Sequence, residues 1–155
     1  MDWIDLTHPL YTDMPVIPGD TPPKLTDTQT IERDGCSVQE LRCANHAGTH
    51  VDAPLHFLPE GRSVDRLPLH KLAGPAAVLD FSDLGAGSRI EWPRLEAALS
   101  GAGRPSKVLV STGWDRHFGS GQYFENFPTL SVEAAEGLAE SGIHLLGVDT
   151  PSPSP

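Results

Sequence analysis

The sequence is poor in cysteine, in positive charge and in long apolar runs. Its 155 residues include 2 Cys, and 11 Lys and Arg stand against 21 Asp and Glu, so the formal net charge is -10. Such an acidic chain is a poor match for nucleic acid or for an anionic membrane. No apolar run approaches the roughly 20 residues that a membrane-spanning helix needs. We therefore expect neither nucleic acid nor a membrane as a partner.

The two cysteines and residues 1–5 both indicate the cellular compartment of the protein. Cys36 and Cys43 match no zinc-binding spacing, and two reduced, partly buried thiols are the favoured interpretation, with a disulfide left open. The opening five residues, MDWID, are acidic and lack the apolar stretch of a signal peptide. We expect a cytoplasmic protein.

The remaining composition predicts one loop-rich globular domain. Charged residues make up 21% of the chain without a long charged block, which argues against disorder. Hydrophobic residues make up 38%, beside 15 Gly and 15 Pro. No repeat or linker divides the chain. We predict one domain over residues 1–150, followed by an extended, frayed Pro/Ser tail at 151–155.

Short strands dominate the early sequence, and strands alternate with helices later. A helix is predicted from Pro93 through residue 99 with Gly101 as its C-cap, and another from its N-cap Ser131 to Gly142. This order indicates an α/β fold, a single mixed-sheet domain. The predicted strands cover residues 3–6, 24–31, 37–45, 76–81, 108–112 and 145–148.

Three histidines and one aspartate lie close together in the sequence, at His46, His50, Asp52 and His56. Neutral imidazole and carboxylate are ligands for zinc, manganese or iron. On a helix, His46 and His50 would share a face, with the other two on the far side. All four positions are even, so an extended chain directs all four side chains the same way. A lone His-x3-His would more often be two surface histidines, but four groups in phase favour a metal site with a base beside it.

The first two histidines also need a bend between them. A fully extended chain would hold His46 and His50 roughly 13 Å apart, too far for one ion. Gly48 and Pro54 argue against a helix here, and glycine suits a tight turn. We predict a turn at residues 48–49 that folds His46 onto His50, followed by a short extended run that carries Asp52.

The segment from His46 to His56, HAGTHVDAPLH, resembles the His-x-Gly-Thr-His-x-Asp-x-Pro-x-His signature of the cyclase-like metal-dependent hydrolases. That family includes bacterial kynurenine formamidase (arylformamidase) and isatin hydrolase. The resemblance implies the family's β/β/α swivelling fold and a homodimer. Weaker similarities follow in the family's order: DLTHPL at 5–10, PGDTP at 18–22, TGW at 112–114, FP at 127–128 and GVDTPS at 147–152.

The resemblance implies a role for each residue of the signature. His46, His50 and Asp52 would bind a divalent metal, zinc or manganese, and His56 would be the proton donor and acceptor. In kynurenine formamidase a His and a Glu beyond the Asp-Thr-Pro-Ser segment complete a second metal position, and neither follows that segment here. We therefore expect a shortened product, a one-metal site or a site without turnover.

Two apolar residues are candidates for substrate binding. Kynurenine formamidases resemble one another in having a Trp just before Pro-Gly-Asp. This sequence has Ile17 at that position, which would offer the substrate an apolar wall but no aromatic ring to stack on. Trp114 follows a predicted strand end, where open sheets place ligand contacts, although a half-buried anchor is an equal alternative. Asp149 could orient a ligand or simply cap a loop.

The expected function is metal-dependent hydrolysis of a small molecule with an amide-like or cyclic acyl bond. N-formylkynurenine, giving kynurenine and formate, is the leading substrate, and a lactam such as isatin or a lactone is next. The alternative is a metal-binding domain with weak or no activity. No serine or cysteine nucleophile motif competes, since residues 113–115 do not form a nucleophile elbow. We expect four isolated histidines to be surface or hydrogen-bonded residues: His8, His70, His117 and His144.

Overall fold

A computed structural model describes residues 4–154 of the chain. The fold divides into two compact units, and the boundary falls between Gly61 and Arg62. The first unit contains an antiparallel strand pair, and the second contains parallel strands with helices. The predicted mixed α/β class is confirmed. The single domain over residues 1–150 stays a prediction.

A bulged hairpin is the regular structure of the first unit. Strand β1 (Lys24–Gln29) pairs antiparallel with β2 (Val38–Arg42), and the short helix α1 (Ile31–Asp34) connects them. The helix begins where the Thr30 side chain accepts a hydrogen bond from the backbone of Arg33, so the strand predicted to reach residue 31 ends earlier. The strand predicted at 37–45 is likewise too long, since β2 begins at Val38 and ends at Arg42. Met14 is fully buried in this unit.

The second unit contains α-helices and strands in the order α2 (Leu69–Leu72), β3 (Ala77–Asp80), β4 (Arg89–Ile90), α3 (Trp92–Gly101), β5 (Lys107–Ser111), β6 (Thr129–Leu130), α4 (Val132–Glu140) and β7 (Leu145–Val148). A three-stranded parallel sheet forms its centre, in the order β3-β5-β7. The strands β4 and β6 form a separate short parallel pair. The apolar core of this unit consists of Leu79, Phe81, Ile90, Leu95, Leu99, Val108, Val110, Ala134 and Leu138.

Capping and close packing explain where the two longer helices lie. Ser131 is the predicted N-cap of α4, and its hydroxyl accepts a hydrogen bond from the backbone of Ala134. Gly101 is the last residue of α3 rather than its C-cap, which is Ala102. The two helices pack against each other where Gly137 faces Trp92, since an ideal Cβ on this glycine would lie 2.4 Å from the indole ring.

Several smaller predictions also have definite outcomes. Residues 4–6 have no regular structure, and residue 3 of that predicted strand lies outside the described residues. Cys36 and Cys43 are free, as predicted, but both are exposed rather than partly buried. In the predicted frayed tail, Pro153 accepts a backbone hydrogen bond of 2.9 Å from Leu130. Among the described residues, no helix has the length and apolarity that crossing a membrane requires.

Candidate metal centre

The loop that follows β2 contains the predicted bend. Residues 45–49 form a turn and bends, and Gly48 has a left-handed φ of 67°. An ideal Cβ on Gly48 would lie 3.4 Å from the Cε of Met14, so the bend also packs closely on this buried side chain. The neighbouring Thr49 hydroxyl accepts a hydrogen bond of 3.1 Å from the backbone of His8. These contacts fix the turn that brings His46 back towards His50.

Three side-chain atoms converge inside this loop. The Nδ1 of His46 lies 2.8 Å from the Oδ1 of Asp52 and 3.2 Å from the Nε2 of His50. The Nε2 of His50 lies 3.3 Å from the same carboxylate oxygen. We refer to His46, His50 and Asp52 as the triad. Their side chains are 22%, 29% and 44% exposed, so the cluster is open to solvent.

A backbone carbonyl fixes which nitrogen of His50 is available to a ligand. The Nδ1 of His50 lies 2.8 Å from the carbonyl oxygen of Gly48. A carbonyl can only accept, so this nitrogen donates and carries the proton of the neutral ring. The lone pair is then on Nε2, the atom that points into the triad. Second partners of this kind orient the histidine ligands of metal sites.

The triad fits a divalent cation in spacing and in chemistry. Zinc lies about 2.0–2.1 Å from histidine nitrogen and carboxylate oxygen, so two ligands of a tetrahedral ion are about 3.3 Å apart. The three separations observed, from 2.8 to 3.3 Å, are close to that value. Two imidazoles and one carboxylate suit zinc and also manganese. Three protein ligands leave a fourth position for water or substrate.

His56 lies beside the triad without belonging to it. It is in a 3-10 turn formed by Pro54–His56, and its ring centroid is 4.0 Å from that of His46, with the two planes tilted by 36°. On its other side, the ring of Phe57 lies 4.1 Å away. The structure therefore brings together the three histidines and the aspartate of the sequence signature.

The predicted substrate residues lie in different units. Ile17, in the first unit, is 43% exposed and belongs to a turn in which its carbonyl accepts a hydrogen bond from the backbone of Asp20. Trp114, in the second unit, is 2% exposed, and its Nε1 donates to the carbonyl of Tyr123 at 2.9 Å. These contacts favour the buried anchor for Trp114. A part in substrate binding stays a prediction for both residues.

Asp149 caps the ends of two neighbouring strands. Its carboxylate accepts hydrogen bonds from the backbone and the hydroxyl of Thr112, at 2.8 and 2.6 Å, and from the backbone of Gly113 at 2.7 Å. Asp149 follows β7 and Thr112 follows β5, so this carboxylate ties together the carboxyl ends of adjacent parallel strands. The loop cap is thus the better interpretation.

Tyr123 belongs to the same strand-end cluster and was missed in the sequence. Its hydroxyl donates to the carbonyl of Asp149 at 3.3 Å. Burial, together with the negative charges of Asp149 and Asp115, raises the pKa of Tyr123 to about 12. No local pattern links positions 123 and 149, because the contact depends on how the loop after β5 folds.

The fold and the triad together define a protein with the ligand set of a metal-dependent hydrolase. The sequence profile of the cyclase family, described as "Putative cyclase", matches residues 4–155, and this chain belongs to that family. The family resemblance predicted from the signature is confirmed.

Curated relatives point the same way. The chain is 36% identical over 155 residues to the kynurenine formamidase of Bacillus thuringiensis (strain Al Hakam), covering 99% of this chain and 71% of that protein. It is 34% identical over 154 residues to the kynurenine formamidase of Bacillus anthracis, covering 99% and 70%.

Solved structures support the fold. Isatin hydrolase A from Labrenzia aggregata, bound to benzyl benzoate, superposes with a TM-score of 0.84 at 26% identity, covering 97% of this chain and 68% of that one. A potential metal-dependent hydrolase with cyclase activity gives 0.75 at 26% identity, covering 98% and 69%.

Proposed function

We propose that the protein hydrolyses an amide-like C–N bond with a divalent metal, and that a formamide such as N-formylkynurenine is the leading substrate. The observation that carries the proposal is the triad with the ring of His56 beside it, 4.0 Å from the ring of His46. A ligand set and a separate titratable group within reach are the two components that metal-assisted hydrolysis needs. Similarity to kynurenine formamidases supports the choice of a formamide.

The metal would be held by His46, His50 and Asp52. Zinc and manganese both suit this donor set, and we propose one ion per chain on these ligands. When bound, such an ion lowers the pKa of a water towards neutrality and polarises the substrate carbonyl. The carbonyl of Gly48 holds the His50 ring with its Nε2 towards the other two ligands, where it would bind the ion, and the carboxylate of Asp52 would offset part of the ion's charge.

Proton transfer is the task of His56. A neutral imidazole can take a proton from the attacking water near pH 7. The same ring then returns that proton to the leaving nitrogen, so the amine departs neutral as the C–N bond breaks. The oxygen of the water remains on the acyl carbon, and the products from a formamide are formate and the free amine. His56 is exposed and is not a member of the triad, which suits this task.

A cyclic amide or lactone is the second candidate substrate. Ile17 offers an apolar surface that is 43% exposed but no aromatic ring to stack on an aryl group. The fold is similar to that of isatin hydrolase A. Together these observations favour testing isatin and a simple lactone beside the formamides. A homodimer, which rests on the family resemblance, belongs to the same proposal. So does a cytoplasmic location, which rests on the two free cysteines.

The test is hydrolysis by metal-loaded protein of N-formylkynurenine, a simple aryl formamide, isatin and a lactone. We expect turnover of at least one formamide, with loss of the rate on chelation and recovery with zinc or manganese. Turnover of isatin alone would replace the formamide with a cyclic amide. Metal binding without turnover of any of the four would identify a non-catalytic metal-binding domain.

A further inference from the structure

We propose that Gly61 is a positioning residue that holds His56 in place beside the triad. This inference rests on the proposed function of His56 as the proton carrier. It concerns a residue outside the sequence signature, five positions beyond its last histidine.

The observation is a very close approach between two stretches of backbone. An ideal Cβ on Gly61 would lie 2.5 Å from the carbonyl carbon of Pro54, 2.6 Å from its oxygen and 2.7 Å from the backbone nitrogen of Leu55. All three are main-chain atoms, so no side-chain rotation can relieve the contact. The φ of Gly61 is not in the left-handed region, so its conformation is open to other residues. The requirement for glycine is therefore one of space.

The peptide that Gly61 touches is the first one of the turn that carries His56. The carbonyl of Pro54 accepts hydrogen bonds from the backbones of Phe57 and Leu58, at 3.2 and 2.9 Å, and so closes the turn around the histidine. The loop then folds back, and the Gly61 nitrogen donates to the carbonyl of Leu58 at 2.8 Å. The peptide between Pro54 and the next residue is thereby held from both sides.

A side chain at position 61 would push this peptide and rotate the turn. His56 is two residues further along, so its ring would leave its place against His46. The ligands of the triad precede the turn, and their bend packs instead on Met14. Misplacement of a reacting group by about 1 Å can cost on the order of 100-fold in rate. The expected result is a loss of turnover with the metal ligands left intact.

The first experiment compares Gly61→Ala with Gly85→Ala. Gly85 has no left-handed φ, and an added Cβ there would meet no atom within 4 Å, so it is the matched control. We expect Gly61→Ala to lower kcat by about 10- to 100-fold, with little change in KM and full metal content. Gly85→Ala should retain the rate of the unmodified protein. Equal rates for Gly61→Ala and the unmodified protein would overturn the proposal.

A double-mutant cycle separates positioning from general damage. If Gly61 acts through His56, then Gly61→Ala should cost no further rate in a His56→Ala background. A purely structural role would lower the rate by the same factor in both backgrounds, which would overturn the proposal.

Two further arms keep the proposal testable if Gly61→Ala folds poorly or if the unmodified protein shows no turnover. Pro59→Gly changes an exposed residue of the same loop without adding a clash. Glycine makes the backbone between the His56 turn and Gly61 more flexible, so the position of His56 should be less well fixed in a folded protein. Pro59→Gly should lower kcat by a smaller factor than Gly61→Ala, and only when His56 is present. If it lowers kcat equally in the His56→Ala background, the proposal is overturned. Histidine-selective NMR of the metal-free protein gives a readout without activity, since the His56 ring signals should shift in Gly61→Ala or Pro59→Gly while those of His144 stay. Unshifted His56 signals in both folded variants would overturn the positioning role, whatever reaction the protein catalyses.

Discussion

The carbonyl oxygen of Gly48 lies 2.8 Å from the Nδ1 of His50, so the residue at the bend also orients a candidate metal ligand two positions later. One glycine thus serves two purposes. Its left-handed φ of 67° reverses the chain, and its carbonyl selects the tautomer that directs Nε2 towards His46 and Asp52. The ligand atoms therefore converge through contacts within one short loop, and the predictions that follow test this arrangement.

Removal of His50 should abolish metal binding. His50→Ala leaves one imidazole and one carboxylate, and two ligands hold a first-row divalent ion poorly. We expect about one ion per chain in the unmodified protein and nearly none in the variant, measured by elemental analysis after gel filtration. His70→Ala changes an exposed histidine outside the triad and is the control. Full occupancy in His50→Ala would remove His50 from the site.

Removal of His56 should separate metal binding from turnover. His56→Ala leaves the triad complete, so the metal content should match that of the unmodified protein. The rate should fall on the order of 10²–10⁴-fold, the usual effect of losing a general acid–base group. Metal analysis and formamide hydrolysis on the same preparation provide the measurement. If the metal content falls in step with the rate, His56 is a ligand and its assigned role is wrong.

An aromatic residue at position 17 should favour aryl formamides over alkyl ones. Ile17 is 43% exposed in the turn before Pro-Gly-Asp, so the larger ring can be accommodated there. Ile17→Trp should change the ratio of kcat/KM values for an aryl and an alkyl formamide by roughly 0.5–1.5 kcal/mol, the value of an added aromatic pair. Ile17→Leu keeps an aliphatic wall and is the control. An unchanged ratio in the folded, metal-loaded Trp variant would place residue 17 outside the substrate pocket.

The sequence predicted the clustering of His46, His50 and Asp52 better than it predicted the segments around them. The triad follows from periodicity and from Gly48, both of which act over a few residues. Trp114 illustrates the limit, because its position after a strand suggested a ligand contact as readily as the buried anchor with its Nε1 on Tyr123. The early strands were predicted too long because Thr30 can end a strand by capping a helix, a choice that depends on Arg33 three residues later. The close approach of Gly61 to Pro54 depends on atomic distances that no pattern of residue types reveals.

Gly137→Ala should destabilise the second unit, although alanine is normally the better helix former. An exposed Gly→Ala change inside a helix gains about 1 kcal/mol. Here the new Cβ would lie 2.4 Å from the ring of Trp92, so the helices α3 and α4 must separate or the indole must move. We expect a net loss of about 1–3 kcal/mol in the free energy of unfolding, measured by urea denaturation. Gly101→Ala, where an added Cβ meets nothing within 4 Å, should not be destabilising, and an equal effect in the two variants would contradict the packing argument.

The strand-end cluster should make stability fall in alkaline solution. Burial and the negative charges of Asp149 and Asp115 raise the pKa of Tyr123 to about 12, whereas the pKa of an unfolded tyrosine is about 10. Between those two values the folded state binds more protons than the unfolded state, so the free energy of unfolding decreases as the pH rises through this window. Below about pH 10 Tyr123 keeps its proton in both states, and its contribution to the free energy of unfolding is fully present.

Tyr123→Phe removes the titrating group and tests the sign of this dependence. The variant also loses the 3.3 Å hydrogen bond to the carbonyl of Asp149, so it should be less stable at neutral pH. Its free energy of unfolding should nevertheless decline less steeply between about pH 10 and pH 12 than that of the unmodified protein. Tyr11→Phe, which changes an exposed tyrosine outside the strand-end cluster, is the control and should leave the slope unchanged. Urea denaturation across that range gives the slopes, and the same slope for Tyr123→Phe and the unmodified protein would show that Tyr123 titrates alike in the folded and unfolded states.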